Sequence, residues 1–154
     1  MKVLVESLDA QFDHLKPAIK KSAVQVANFL KQKNVYLEVY LLPNRMMNKN
    51  VLSFPAPKDF PRPDMKRGMK YLGEIYLNPD YIRREQLEIE NLKFLPLPVG
   101  RQVSVRHGKI SAKLAFMLIH GFLHLLGYLH DKKSDRIKMR NKEKELLRLL
   151  NIKI

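Results

Sequence analysis

An α+β fold is expected for this chain of 154 residues: a mixed sheet of about four strands flanked by helices, with a metal-bearing central helix. Three observations lead there. Short runs rich in Val, Tyr, Leu and Ile alternate with longer stretches whose apolar residues recur every three or four positions. Stretches rich in proline and charge, with Asn-Pro, break the chain between those runs. The most apolar of those helices carries histidines at positions 120 and 124, with a third at 130.

The elements follow in order. Val3 to Glu6 reads as a short strand, and Pro17 to Lys33 as a helix, with proline at its start and Ile19, Ala23, Val26, Ala27 and Leu30 along one stripe. Val35 to Leu42 and Asn50 to Phe54 read as strands. Pro55 to Lys70 holds four prolines among Lys58, Asp59, Arg62, Asp64, Lys66 and Arg67, which demands a loop. Tyr71 to Leu77 is a further strand, broken by Asn78-Pro79, and residues 80 to 92 read as a helix. Leu95 to Gly100 reads as a linker. Ser111 is placed to cap the helix that runs to Leu126, and Ser134 to cap a last helix with apolar positions Met139, Leu146, Leu147 and Leu150. No internal repeat is present, and the length fits one domain over residues 1–154.

Composition excludes several classes. At 45% hydrophobic residues the chain can build a core, so it is not a disordered polyelectrolyte. It has no cysteine, which removes disulfides, thiolate ligands and cysteine nucleophiles together. The apolar run after Met1 ends at Glu6, too short for a signal peptide, and no stretch approaches the roughly 18 apolar residues of a membrane span. A cytoplasmic location is expected. Lys plus Arg number 29 against 15 Asp plus Glu, a net charge of +14. Such a surface attracts polyanions, nucleic acid first, with an anionic membrane surface as the alternative.

The run from His120 to His130 carries the chemistry. Residues four apart lie on one helix face, so His120 and His124 can turn two imidazoles to one ion. Gly127 suits the left-handed conformation that ends helices, after which the chain can bring His130 back to the same ion. Three nitrogens leave a fourth position open, as in a catalytic zinc site. The core side of this helix should be Leu114, Leu118, Gly121, Phe122 and Leu125, and the other side His120, His124, Phe116 and Lys113. The same spacing occurs in metzincin peptidases, which place a Glu after the first His as general base; here that position is Gly121. Gly121 serves either helix packing or the close approach of a neighbouring element or phosphate. His14 and His107 lie outside the motif, and His107 sits in a basic segment with Arg101, Arg106 and Lys109.

The run His120-Gly121-Phe122-Leu123-His124-Leu125-Leu126-Gly127-Tyr128, followed by His130, resembles the signature of the YbeY family, H-G-x-L-H-L-x-G-Y-D-H, and departs from it at Leu129. Asn50 to Pro55 matches that family's N-V-L-S-F-P strand, Leu72-Gly73-Glu74-Ile75 is similar to its L-G-D-I, and Met139 and Glu143 fall where its last helix carries Met and Glu. The likeness runs over roughly residues 35 to 150. It implies a mixed sheet flanked by helices and a metal-dependent endoribonuclease acting on single-stranded RNA. It also implies rRNA maturation, ribosome quality control and association with the small ribosomal subunit.

The expected cofactor is one zinc ion on His120, His124 and His130. Glu74 and Asp131 are candidate proton carriers, although each also fits a solvated or capping carboxylate. The family carries an active-site arginine seven residues before the Asn of its N-V-L-S-F-P strand; here that count reaches Pro43. Arg45 is the nearest substitute and Lys49 a weaker one, with an ordinary loop residue as the plain alternative for Arg45. The reading is a metal-dependent endoribonuclease. Its rivals are a metal-dependent hydrolase of another substrate, with a peptidase disfavoured by Gly121, and a catalytically weak ribosome-associated RNA-binding protein.

Overall fold

The computed structural model describes residues 1–58, 62, 64–92 and 110–152, with side chains in the second helix described to residue 85. The expected linker at 95–100, Asp59 and the basic segment holding His107 lie outside the described residues. Strand β1 (Lys2–Ser7) leads through a 3-10 turn (Ala10–Leu15) into helix α1 (Lys16–Phe29), then β2 (Val35–Leu41), β3 (Val51–Pro55), β4 (Lys70–Leu77), α2 (Pro79–Leu92), α3 (Ala112–Leu125) and α4 (Lys133–Leu149). The sheet order is β1-β2-β4-β3. β1, β2 and β4 are parallel, and β3 runs antiparallel on the edge. This is the expected α+β fold with a mixed four-stranded sheet.

Strand periodicity sorts the side chains. Val3, Val5, Val35, Leu37, Val39, Leu41, Ile75 and Leu77 are buried and face the helices. α1 packs on β1, and α3 packs on β3 and β4. The alternate residues, Lys2, Tyr36, Glu38, Tyr40, Glu74, Tyr76 and Phe54, fall on the opposite face by register. A bulge adjusts that register: Tyr36 pairs with Tyr71, but Leu37 pairs with Gly73. The extra residue lets Tyr71 and Glu74, three apart in sequence, share a face. Gly73 makes this possible with φ of +128°, and a Cβ there would strike the Phe54 carbonyl oxygen.

Helix ends show where local chemistry decides. Lys31, at φ +55°, donates its N–H to the Asn28 carbonyl, while Gln32 donates to Ala27, so α1 stops at Phe29 rather than Lys33. This is a Schellman ending built without glycine. Asn78 caps α2 through its Oδ1, which accepts from the Tyr81 N–H, with Pro79 in the first turn. Its amide donates to the Met47 carbonyl at 2.6 Å, which pins the loop carrying Arg45 to the end of β4. Ser111 caps α3 as expected, its Oγ accepting from the Leu114 N–H at 3.3 Å. Ser134 does not cap α4: the helix starts at Lys133, the cap position is Lys132, and no side chain caps it. Asp135 supplies a first-turn negative charge there instead.

Gly73→Ala should lower stability by about 2 kcal/mol or more, because strained φ and a backbone collision add. Urea unfolding followed by circular dichroism should show a lower midpoint with an unchanged slope.

Candidate metal centre

Helix α3 is buried almost all round. Leu114, Ala115, Met117, Leu118, Ile119, Gly121, Phe122, Leu123 and Leu125 are all inside. The stripe left out of the core is Lys113, Phe116, His120 and His124. Gly121 is turned to the sheet, where an added Cβ would stand 3.0 Å from Ile75 Cγ2 and 3.3 Å from Val51 Cγ2. Helix packing therefore accounts for this glycine. A carboxylate at that position would be driven into β3 and β4 rather than presented beside the histidines.

The helix ends in a second Schellman motif. Gly127, at φ +90°, donates its N–H to the His124 carbonyl, and Tyr128 donates to Leu123, both at 3.0 Å. The reversal returns His130 to the helix. Ligand atoms of His120, His124 and His130 all lie within 4.8 Å of one another. Ring centroids are 4.6 Å apart for His120 and His124, 4.8 Å for His124 and His130, and 5.7 Å for His120 and His130.

Hydrogen bonds set the tautomers. His124 Nδ1 lies 2.9 Å from the Tyr128 carbonyl oxygen, which can only accept, so Nδ1 carries the proton. His120 Nδ1 lies 2.7 Å from Oε1 of Glu143, a buried residue of α4, and donates to that carboxylate. Both Nε2 atoms then present lone pairs, and they face each other at 3.1 Å. Two acceptors at that distance repel unless a cation or proton lies between them. Tetrahedral zinc with bonds of about 2.0–2.1 Å needs ligand nitrogens roughly 3.3 Å apart. The donor set therefore fits a divalent ion, with imidazole orientation held by a carboxylate and a carbonyl in the usual outer arrangement of zinc sites. Burial pushes the His124 pKa below its ordinary 6.5, and the charges of His120 and His130 add to this.

The other candidates are not at this site. Glu74 is on the far face of the sheet, where its carboxylate accepts from the Tyr76 hydroxyl at 2.7 Å and from Tyr71 at 3.4 Å. Being on the strand under α3 does not bring it to the histidines, because neighbours of Ile75 point the other way. Arg45 is two-thirds exposed and donates to Asp9 at 2.8 Å, with no histidine among its described partners. Lys49 is exposed on the same loop, and His14 lies in the 3-10 turn. Asp131 is exposed and adjacent to His130. Glu143 is the residue whose role the sequence reading missed. Its signal was a lone carboxylate in the buried stripe of α4, four residues after Met139 and three before Leu146.

Comparisons with known proteins show the family. The family described as Endoribonuclease YbeY matches residues 9–151. A protein named Endoribonuclease YbeY from Wolbachia sp. subsp. Drosophila simulans is 36% identical over 141 residues, covering 90% of this chain and 73% of the relative. One of the same name from Caldicellulosiruptor bescii is 25% identical over 162 residues, covering 99% of each. The solution structure of TM1509 from Thermotoga maritima superposes with a TM-score of 0.54 at 20% identity, over 96% of this chain and 88% of that one, a likeness of fold.

Two outcomes are expected. Glu143→Gln, which keeps the shape but removes the charge, should weaken zinc affinity about 10- to 100-fold, measured by competition with a chromogenic chelator. Burial lowers the His124 pKa, so its imidazole stays neutral to lower pH than in the unfolded chain; zinc should be held at neutral pH and lost as acid protonates the site, read by metal analysis after desalting. From the sequence motif, the residues of the site and the match over residues 9–151, the chain belongs to the YbeY family of endoribonucleases.

Proposed function

We propose that residues 1–154 form one metallohydrolase domain that cuts single-stranded RNA, with a zinc ion held by His120, His124 and His130. The observation that carries the reading is the pair of Nε2 lone pairs facing each other at 3.1 Å beside a third imidazole. When bound, a divalent ion there supplies a Lewis acid that polarises a phosphoryl oxygen and acidifies water. The chain's own part is orientation. Glu143 and the Tyr128 carbonyl hold the two helix imidazoles, the αL turn at Gly127 returns the third, and the packed body of α3 keeps their spacing. Lys113, whose ammonium lies 5.8 Å from the Phe116 ring centre, and the +14 charge favour an anionic substrate. Relatives named Endoribonuclease YbeY support RNA as that substrate. The roles in rRNA maturation and ribosome quality control, contact with the small ribosomal subunit and a cytoplasmic location are part of the proposal and rest on the motif resemblance and the basic charge. No described helix is long and apolar enough to cross a membrane.

One observation favours the rival reading of a catalytically weak RNA-binding protein. Arg45, the nearest substitute for the family arginine, is engaged by Asp9. The test is cleavage of a labelled single-stranded RNA by the intact chain. Wild type should cut it, chelator should stop the cutting, zinc should restore it, and His124→Ala purified identically should be inactive. A casein substrate should stay intact. Arg45→Ala should change the rate less than twofold if Asp9 is its only partner, and about tenfold or more if it leaves Asp9 to hold a phosphate. Equal cutting by wild type and His124→Ala would contradict the assignment, and absence of cutting by zinc-loaded protein would favour the binding protein.

A further inference from the structure

The sheet face opposite α1 and α3 is built unlike a plain solvent face. Four of the chain's six tyrosines, Tyr36, Tyr40, Tyr71 and Tyr76, stand on it. Tyr40 and Tyr76 stack at 5.2 Å and 22°, and Phe54, 52% exposed on edge strand β3, meets Tyr76 edge-on at 5.6 Å. Arg62 lies over Tyr71 at 4.8 Å. Beside these rings is a cavity of about 600 Å³ walled by Lys58, Arg62, Lys66, Arg67, Lys70 and Tyr71. A second, of about 300 Å³, lies between Lys2, Lys66 and Tyr36.

Glu38 and Glu74 are occupied from within, while exposed Glu6 stands on edge strand β1 and exposed Asp64 lies 3.3 Å from Arg62 Nε. Glu38, 3% exposed, accepts from Arg62 at 2.6 Å and from the hydroxyls of Tyr36, Tyr71 and Tyr40 at 2.8, 3.0 and 3.2 Å. Burial alone would raise its pKa, but the bonds from Tyr36, Tyr71 and Arg62 outweigh burial and hold it below the ordinary value. Burial and the neighbouring glutamates push Tyr36 and Tyr76 up to about 12, so both stay proton donors. The polar tips thus satisfy one another; Tyr36 is buried, Tyr40, Tyr71 and Tyr76 are half-buried with part of each ring outward, and Phe54 is exposed. Lys2, Lys58, Lys66, Arg67 and Lys70 are exposed, and none is in an ion pair among the described residues.

Aromatic rings on a sheet, an arginine plane and unpaired cations alongside are what single-stranded nucleic acid needs: stacking for bases and charge for phosphates. We propose that this face is a second binding surface, for single-stranded nucleic acid, with Phe54 and Arg62 as stacking platforms and Lys66, Arg67 and Lys70 as phosphate contacts. It is separate from the histidines, which lie on the helix side of the sheet. It therefore stands whether or not that site cuts RNA.

The test uses the intact chain in chelator, so that no probe is consumed, with oligouridylate as the probe. The protein has no tryptophan, so intrinsic fluorescence reports the tyrosines, most of them on this face. Oligouridylate should quench that fluorescence, and duplex RNA should compete poorly. Phe54→Ala, at an exposed position, should weaken binding about tenfold, the size of one lost base stack. Lys66→Ala with Arg67→Ala should weaken binding and reduce the salt slope by about one to two. Lys20→Ala with Lys21→Ala, on the exposed side of α1, removes the same charge elsewhere and should change little. If the Lys20–Lys21 pair matters as much as Lys66–Arg67 and Phe54→Ala binds normally, attraction is by net charge alone and the proposal is overturned. Equal competition by duplex, or no quenching at all, overturns it too, and leaves the face to a protein partner.

Discussion

The arrangement hinges on two imidazoles held lone pair to lone pair. With Nδ1 of His120 donating to Glu143 and Nδ1 of His124 donating to the Tyr128 carbonyl, the neutral rings carry no proton at Nε2, and the repulsion is relieved only by a cation or a further proton between them. Those commitments come from different parts of the chain. Glu143 arrives from α4, and Tyr128 is fixed by the Schellman turn that Gly127 permits. A buried carboxylate facing a histidine is costly to keep unless it holds that histidine in a useful state. The helix, the turn and the last helix all lead to one cation position.

The rest of the fold keeps that position rigid. α3 is buried on nearly every side, and at Gly121 it comes close enough to β3 and β4 that a methyl group would crowd Ile75 and Val51. This close seat removes any room for a carboxylate at the position where the metzincin pattern has its base. It also separates the two faces of the sheet. The helix side carries the histidines, while the far side carries a tyrosine, arginine and glutamate network that is satisfied within itself.

Much of this was legible in the sequence because periodicity and spacing are local. Strands from Val35 and from Tyr71, the Ser111 cap, the Gly127 ending and the grouping of three histidines all follow from neighbours within a few residues. What escaped depends on partners far along the chain or on strand parity. Glu74 fits a proton carrier by sequence alone, yet the alternation of side chains along β4 sends it to the face away from the histidines. Arg45 was read as free to hold a phosphate, but Asp9, 36 residues away in sequence, engages it. Ser134 lies two residues past the cap position, since α4 begins at Lys133 with Lys132 as an N-cap that has no side-chain cap bond. Glu143 was visible as a charge inside an apolar stripe, but what it touches could be known only once α3 and α4 were packed together.

X-ray absorption at the zinc edge, on the protein as purified, tests the central claim most directly. The account predicts zinc with three imidazole nitrogens at about 2.0–2.1 Å and one oxygen ligand that is not from histidine, and loss of the histidine scattering pattern in His124→Ala. A zinc environment of oxygen ligands alone, or one unchanged by His124→Ala, would contradict it.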